Sequence, residues 1–144
     1  MFYKPEWFSW KELVPPEVFQ ARGDKCCELF TIEILETADE LRELLGVSMT
    51  VNDWAWGGNF KYRGFRPTTY YKGAFSLSQH IRGNAIDFDA RGYTADEVRE
   101  LIKGWKREGK LAHLTGLEEG VNWVHVDCRP SGRLDDDGLF CFKP

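Results

Sequence analysis

Ser78-Gln79-His80-Ile81-Arg82-Gly83-Asn84-Ala85-Ile86-Asp87 is the stretch on which the reading of this chain turns. His80 offers a neutral imidazole nitrogen and Asp87 a hard carboxylate oxygen, a mixture that suits zinc or a similar first-row divalent ion better than calcium or magnesium. Residues 84–89 have the composition of a strand. Alternate residues of a strand share a face, so Asp87 can point into a site while Ile86 and Phe88 point into a core. Gly83 stands between His80 and that strand, where a chain that turns sharply and passes close to a bound ion is best served by having no side chain. Ala85 is small for a similar reason. Working outward, a second histidine lies far downstream in Trp123-Val124-His125-Val126-Asp127, whose alternation is also that of a strand. The chain has three histidines and two fall in these patterns, so His80, Asp87 and His125 are the expected metal ligands. Two histidines and a carboxylate leave one position open, which distinguishes catalytic from structural zinc: the open place takes a water whose pKa falls toward ~7.

The spacing Ser78-x-His80-x-x-Gly83-x-Ala85-x-Asp87, followed by Trp123-x-His125-x-Asp127, resembles the zinc D-alanyl-D-alanine carboxypeptidase family. That family includes VanY-type enzymes and phage L-alanyl-D-glutamate endolysins, and the amino-terminal signalling domain of hedgehog proteins shares its fold. The resemblance covers most of the chain. It implies Zn2+ on His80, Asp87 and His125, a small α+β domain, and hydrolysis of peptide bonds in the stem peptide of bacterial peptidoglycan. Its motifs specify fold and metal more closely than the bond that is cut, D-Ala-D-Ala or L-Ala-D-Glu.

The same resemblance implies an arginine ahead of the first metal motif, pairing with a substrate carboxylate or the developing oxyanion, a role suited to a fixed planar cation. The usual Ser-Gly-Tyr-Arg is absent here, and Arg66, nearer the motif, is preferred to Arg63. Many relatives place a general-base glutamate three residues before the last histidine. This chain has Asn122 there, and an amide has no useful proton affinity near neutral pH. The role then passes to the Leu117-Glu118-Glu119-Gly120 stretch. Glu119 lies an even number of residues before His125, so both share a face if the strand is unbroken, and hedgehog-type domains carry a glutamate at that offset. If Gly120 breaks the strand, Glu118 becomes the candidate, with Asp127 next in line. Asp127 is otherwise expected to brace the site as a hydrogen-bond acceptor. The competing expectation is a non-catalytic zinc-bearing binding or structural module of the same fold, and the general base separates the two.

Length and charge set the frame. A chain of 144 residues is expected to be one domain, 1–144, large enough to bury a core without disulfides. A formal charge of −4 with no basic block argues against nucleic acid as a partner, since neutralising phosphates needs clustered lysine and arginine. No apolar run approaches the ~20 residues of a membrane span, and Met1-Phe2-Tyr3-Lys4-Pro5-Glu6-Trp7 lacks the layout of a signal peptide. The expectation is a monomer made in the cytoplasm that acts on the cell wall, a setting that resembles phage or prophage lysis proteins. Cys26, Cys27, Cys128 and Cys141 form no Cys-x-x-Cys pair and read as free thiols.

The remaining elements follow from periodicity. Ser9 to Glu12 is a possible capping box for a short helix stopped by Pro15 and Pro16. Thr31 to Leu45 carries Ile34, Ala38, Leu41 and Leu45 on one helical face, with Gly46 as a stop. Val47 to Val51 reads as a strand. From Asn52 to Phe75 periodicity vanishes, and an irregular stretch of that length is expected to border the cleft. Its Trp54, Trp56, Tyr62, Tyr70 and Tyr71 read equally as binding surface or core. Thr94 to Glu97 is a capping box for a helix with Val98, Leu101, Ile102 and Trp105 on its apolar face, ending near Gly109. His113 reads as an ordinary loop histidine. A strand is expected over Val121 to Cys128, and an edge strand over Leu139 to Phe142. The expected fold is one α+β domain, a small mostly antiparallel sheet bearing the ligands with two main helices packed on it.

Overall fold

The computed structural model describes residues 2–71 and 78–144. Residues 72–75 of the irregular stretch lie outside the described residues. The chain opens on a one-turn helix, α1 (Trp10–Leu13), where the Glu12 carboxylate accepts from the Ser9 backbone N–H at 2.8 Å. Pro15 and Pro16 do more than stop it. Pro16 is the first residue of a second helix, α2 (Pro16–Arg22), because the missing proline N–H is no loss in a first helical turn. A 3-10 segment, Gly23–Leu29, then leads to α3 (Ile32–Leu45), capped by Thr31, whose hydroxyl accepts from the Ile34 N–H, and ended by Gly46 at φ 69°. Ile34, Ala38, Leu41 and Leu45 are all buried, as the four-residue spacing requires.

Strand β1 is shorter than the strand expected over Val47 to Val51, reduced to Met49–Thr50. It pairs antiparallel with β2 (Ala85–Ala90). Helix α4 (Ala95–Arg107) carries the expected capping box, with Thr94 and Glu97 bonded in both directions at 2.8 and 3.1 Å. Three short strands follow: β3 (Gly116–Glu118), β4 (Val124–Asp127) and β5 (Phe140–Phe142). The sheet runs β1-β2-β4-β3-β5, antiparallel except for the β3–β5 pair. The architecture is therefore α+β with a mixed five-stranded sheet.

The strand expected over Val121 to Cys128 begins only at Val124. Gly120 adopts φ +79° and residues 120–123 are bends, so the even spacing between Glu119 and His125 does not put them on one face.

Register decides what each face of the sheet carries. Ile86 lies opposite Val126 and Phe88 opposite Val124, and these residues join Ile34, Leu41, Val98 and Ile102 in one buried cluster. The alternate residues form the other face: Asp87 lies opposite His125, Ala85 opposite Asp127, and Gly116 on β3 opposite Asp127 again. Glu118 and Phe142, paired across β3 and β5, continue that face. Burying the apolar set against the helices thus fixes where every group of the second set stands. Among the described residues, no helix is long and apolar enough to cross a membrane.

Candidate metal centre

His80, Asp87 and His125 come together as a buried group that could hold a metal ion. Asp87 and His125 meet because their strands pair in register. His80 arrives from the turn before β2, which folds back over Gly83. That glycine has φ +62°, and a Cβ there would collide with the Leu29 carbonyl oxygen. The tight approach at Gly83 is to the Leu29–Phe30 backbone, not to the ligand group, which corrects the reason expected for it. Ala85 is fully buried and lies opposite Asp127.

Hydrogen bonds orient both rings. His80 Nδ1 lies 2.8 Å from the Gly64 carbonyl oxygen, which can only accept, so Nδ1 carries the proton and the Nε2 lone pair faces inward. His125 Nε2 lies 2.8 Å from Asp127 Oδ2, again an acceptor, which turns Nδ1 toward the site. His80 Nε2, His125 Nδ1 and Asp87 Oδ1 are then separated by 3.3, 3.3 and 2.8 Å. A tetrahedral ion with bonds of about 2.0–2.1 Å holds its ligand atoms ~3.3 Å apart, and two of the three separations already match.

Three lone-pair donors this close repel unless positive charge lies between them. Without an ion, a proton meets that need. Burial alone would lower the His125 pKa, but its hydrogen bonds to Asp127 and Asp87 outweigh burial and push it up to about 9. Burial would raise Asp87, yet the two histidines hold its carboxyl well below the usual range. His80 is pushed down, by burial first. A divalent cation could take the place of that proton, since both rings are oriented with a nitrogen toward the site.

The group lies in a cleft of about 350 Å³ whose lining includes Arg66, Glu118, Trp123, Arg129 and Phe142. Arg66 is held on three sides: it donates to the Tyr62 carbonyl at 2.7 Å, the Tyr71 hydroxyl at 3.1 Å and Asp87 Oδ2 at 3.2 Å. Arg63 is elsewhere. It makes a two-point ion pair with Asp89 at 2.9 and 3.1 Å and stacks on Phe60. Its backbone carbonyl accepts from the Asp87 N–H at 2.7 Å, which is how the irregular stretch is laid along β2 and borders the cleft.

The two glutamates separate. Glu118 lines the cleft on the ligand face, and among the described residues its carboxylate makes no hydrogen bond or ion pair. Glu119 pairs with Lys103 of α4 at 2.9 Å and is not part of the cleft lining. Asp127, fully enclosed, accepts from His125 and from Arg129, whose Nε lies 2.9 Å from Oδ1 and Nη2 2.6 Å from Oδ2. Burial would raise the Asp127 pKa, but Arg129 and His125 bring it down to about 2.

Arg129 and Phe142 line the cleft without being among the expected site residues; Phe142 is expected only as the end of an edge strand, and β5 does run Phe140–Phe142. The available signal was Asp127-Cys128-Arg129, two opposite charges on one face of an extended chain. The five aromatic residues divide: Trp56 and Tyr70 are exposed, Trp54 donates to the Val14 carbonyl at 2.8 Å, and Tyr62, Tyr70 and Tyr71 form ring contacts beside Arg66. His113 pairs with Glu36 at 3.2 Å on the surface. The four cysteines are free.

Comparison with protein-family models, curated proteins and solved structures finds no match to this chain.

Proposed function

We propose that this chain is a zinc metallopeptidase that hydrolyses a peptide bond in the stem peptide of bacterial peptidoglycan, as a lysis protein of phage or prophage type. The observation that carries the metallopeptidase reading is the placement of the inward-facing donors of His80, Asp87 and His125 in an open cleft that is also lined by the Glu118 carboxylate. The peptidoglycan substrate is supported by the motif resemblance alone. A structural metal site would close its fourth position with a protein ligand. His80, Asp87 and His125 would hold the ion, which when bound polarises a carbonyl and acidifies a water.

The remaining roles belong to the chain itself. Glu118 takes the proton of the attacking water and returns it to the leaving amine, a task open to a carboxylate that faces the cleft and, among the described residues, makes no hydrogen bond or ion pair, with the Arg129 cation nearby. Glu119, neutralised by Lys103, is set aside for that role. Arg66, fixed by Tyr62 and Tyr71, presents a planar cation to the substrate's carboxylate or developing oxyanion. Asp127 keeps its carboxylate on His125 and Arg129, so it orients a ligand and does not act as a base.

Glu118→Gln tests the assignment. It should keep zinc and lose about 10²- to 10⁴-fold in rate, roughly 3–5 kcal/mol in barrier. Glu119→Gln should keep both. Two variants with full zinc and near wild-type rates would place the base elsewhere, and a zinc-loaded wild type inert on cell walls would favour the non-catalytic module.

A further inference from the structure

We infer that Arg99 is a positioning residue for the cleft: it clamps the β3–β4 connection from behind and so fixes Glu118 and Trp123 at the cleft wall. The side chain is almost wholly buried, and a buried guanidinium is tolerated only where its donors are satisfied. All five of its N–H groups have an acceptor. Nε and Nη2 donate to Asp96 Oδ1 at 3.3 and 2.8 Å, Nη2 also to the Val121 carbonyl at 2.7 Å, and Nη1 to the carbonyls of Trp123 at 2.9 Å and Glu118 at 3.5 Å. Three of the four acceptor atoms are therefore main-chain oxygens of residues 118–123, and Asp96 Oδ1 takes two of the five bonds.

That connection needs a clamp. Gly120 turns it with φ +79° and residues 120–123 are bends outside any strand. One side of the connection carries Glu118 and Trp123 into the metal cleft. The other side, with Gly120, Val121 and Asn122, walls a separate hollow of about 630 Å³ that Arg99 also lines. The ligand His125 does not depend on the clamp, because the β2–β4 ladder and Asp127 hold it. Glu118 is itself paired with Phe142 at the end of β3, so Arg99 acts chiefly on the segment just beyond it and on Trp123, and through them on the setting of Glu118, without governing the metal.

The catalytic part of this inference rests on the peptidase reading, and the mechanical part stands without it. Arg99→Met and Arg99→Lys are to be compared with wild type by zinc titration, by amide hydrogen exchange, and by kcat and KM for muropeptide release from sacculi. Arg99→Met should bind one zinc per chain within about threefold of wild-type affinity, exchange amides 120–123 at least tenfold faster with the β2–β4 ladder unchanged, and lose about 10- to 100-fold in kcat. Arg99→Lys, which keeps the charge and some donors, should recover part of that loss. Zinc titration fixes the number of intact sites, so a lower kcat at full zinc is not a loss of folded protein. Wild-type exchange in Arg99→Met, or a loss of zinc in step with rate in both variants, would overturn the clamp. A wild type inert on sacculi would sink the peptidase reading while the exchange and zinc measurements still decide the clamp.

Discussion

Asp127 is fully enclosed and joins His125 to Arg129. Replacing it with asparagine keeps the shape and removes the charge that both neighbours face. Asp127→Asn should weaken zinc about 10- to 100-fold, the usual consequence of losing the acceptor behind a histidine ligand, and destabilise the fold by roughly 1–3 kcal/mol. Competition with a chromophoric chelator measures the first and urea unfolding the second. Unchanged affinity would mean that the ring needs no orienting.

The raised His125 pKa has a definite sign. Against burial, its hydrogen bonds to Asp127 and Asp87 raise it from the ordinary 6.5 to about 9, so the expectation is that the zinc-free protein holds this proton at neutral pH. The stability that the protonated ring contributes is full below about 6.5 and is lost as pH rises through about 9. Zinc bound through His125 would displace that proton. Binding at pH 7 should release close to one proton, seen as a dependence of calorimetric heat on buffer ionisation enthalpy, and apparent affinity should climb as pH rises toward 9. A heat independent of buffer would show the ring already neutral.

At the residue scale, the group of His80, Asp87 and His125 was legible because His80 and Asp87 share one short motif around a turn and a strand, and His125 stands in a second alternating run that pairs with that strand. Arg129 and Arg99 were not. Arg99 reaches main-chain oxygens 19 to 24 residues away, and a main-chain carbonyl has no sequence signature. The choice between Glu118 and Glu119 turned on the conformation of Gly120, which the sequence offered only as a condition.

Among the elements, the two long helices were the most readable, since each combines a capping residue with an unbroken apolar spacing. The strands were readable in place but not in length. β1 and β3 are two and three residues long, too short for alternation to mark their ends. The parallel β3–β5 pair depends on contacts between distant segments. The turn before β2 offers the sharpest test at this scale. Gly83 has both a left-handed φ and no room for a Cβ against the Leu29 carbonyl. Gly83→Ala should destabilise the protein by roughly 1–3 kcal/mol or more and loosen zinc, because His80 is carried on that turn. A urea midpoint equal to wild type would show that the Leu29–Phe30 segment gives way freely.

For the molecule as a whole, the sheet has a division of labour: one face buries apolar residues against the helices, the other carries Asp87, His125, Asp127 and Glu118. A ligand that bridges β2, β4 and the turn bearing His80 should therefore stabilise the entire fold. Zinc at ~100-fold above its Kd should add about 2.7 kcal/mol and raise the unfolding midpoint by about 5–10 °C, and chelation should reverse the rise. Differential scanning calorimetry with and without chelator measures it. His80→Ala should abolish the response, and a variant that kept it would place the ion elsewhere.

The central claim is that this cleft cuts the peptidoglycan stem peptide, and mass spectrometry of muropeptides from isolated sacculi tests it most directly. Zinc-loaded wild type should shorten or split the stem at one defined bond, the terminal D-Ala-D-Ala or the internal L-Ala-D-Glu, while zinc-loaded Glu118→Gln leaves it intact over the same time. Sacculi that give the same muropeptides with and without the zinc-loaded wild-type protein would contradict it.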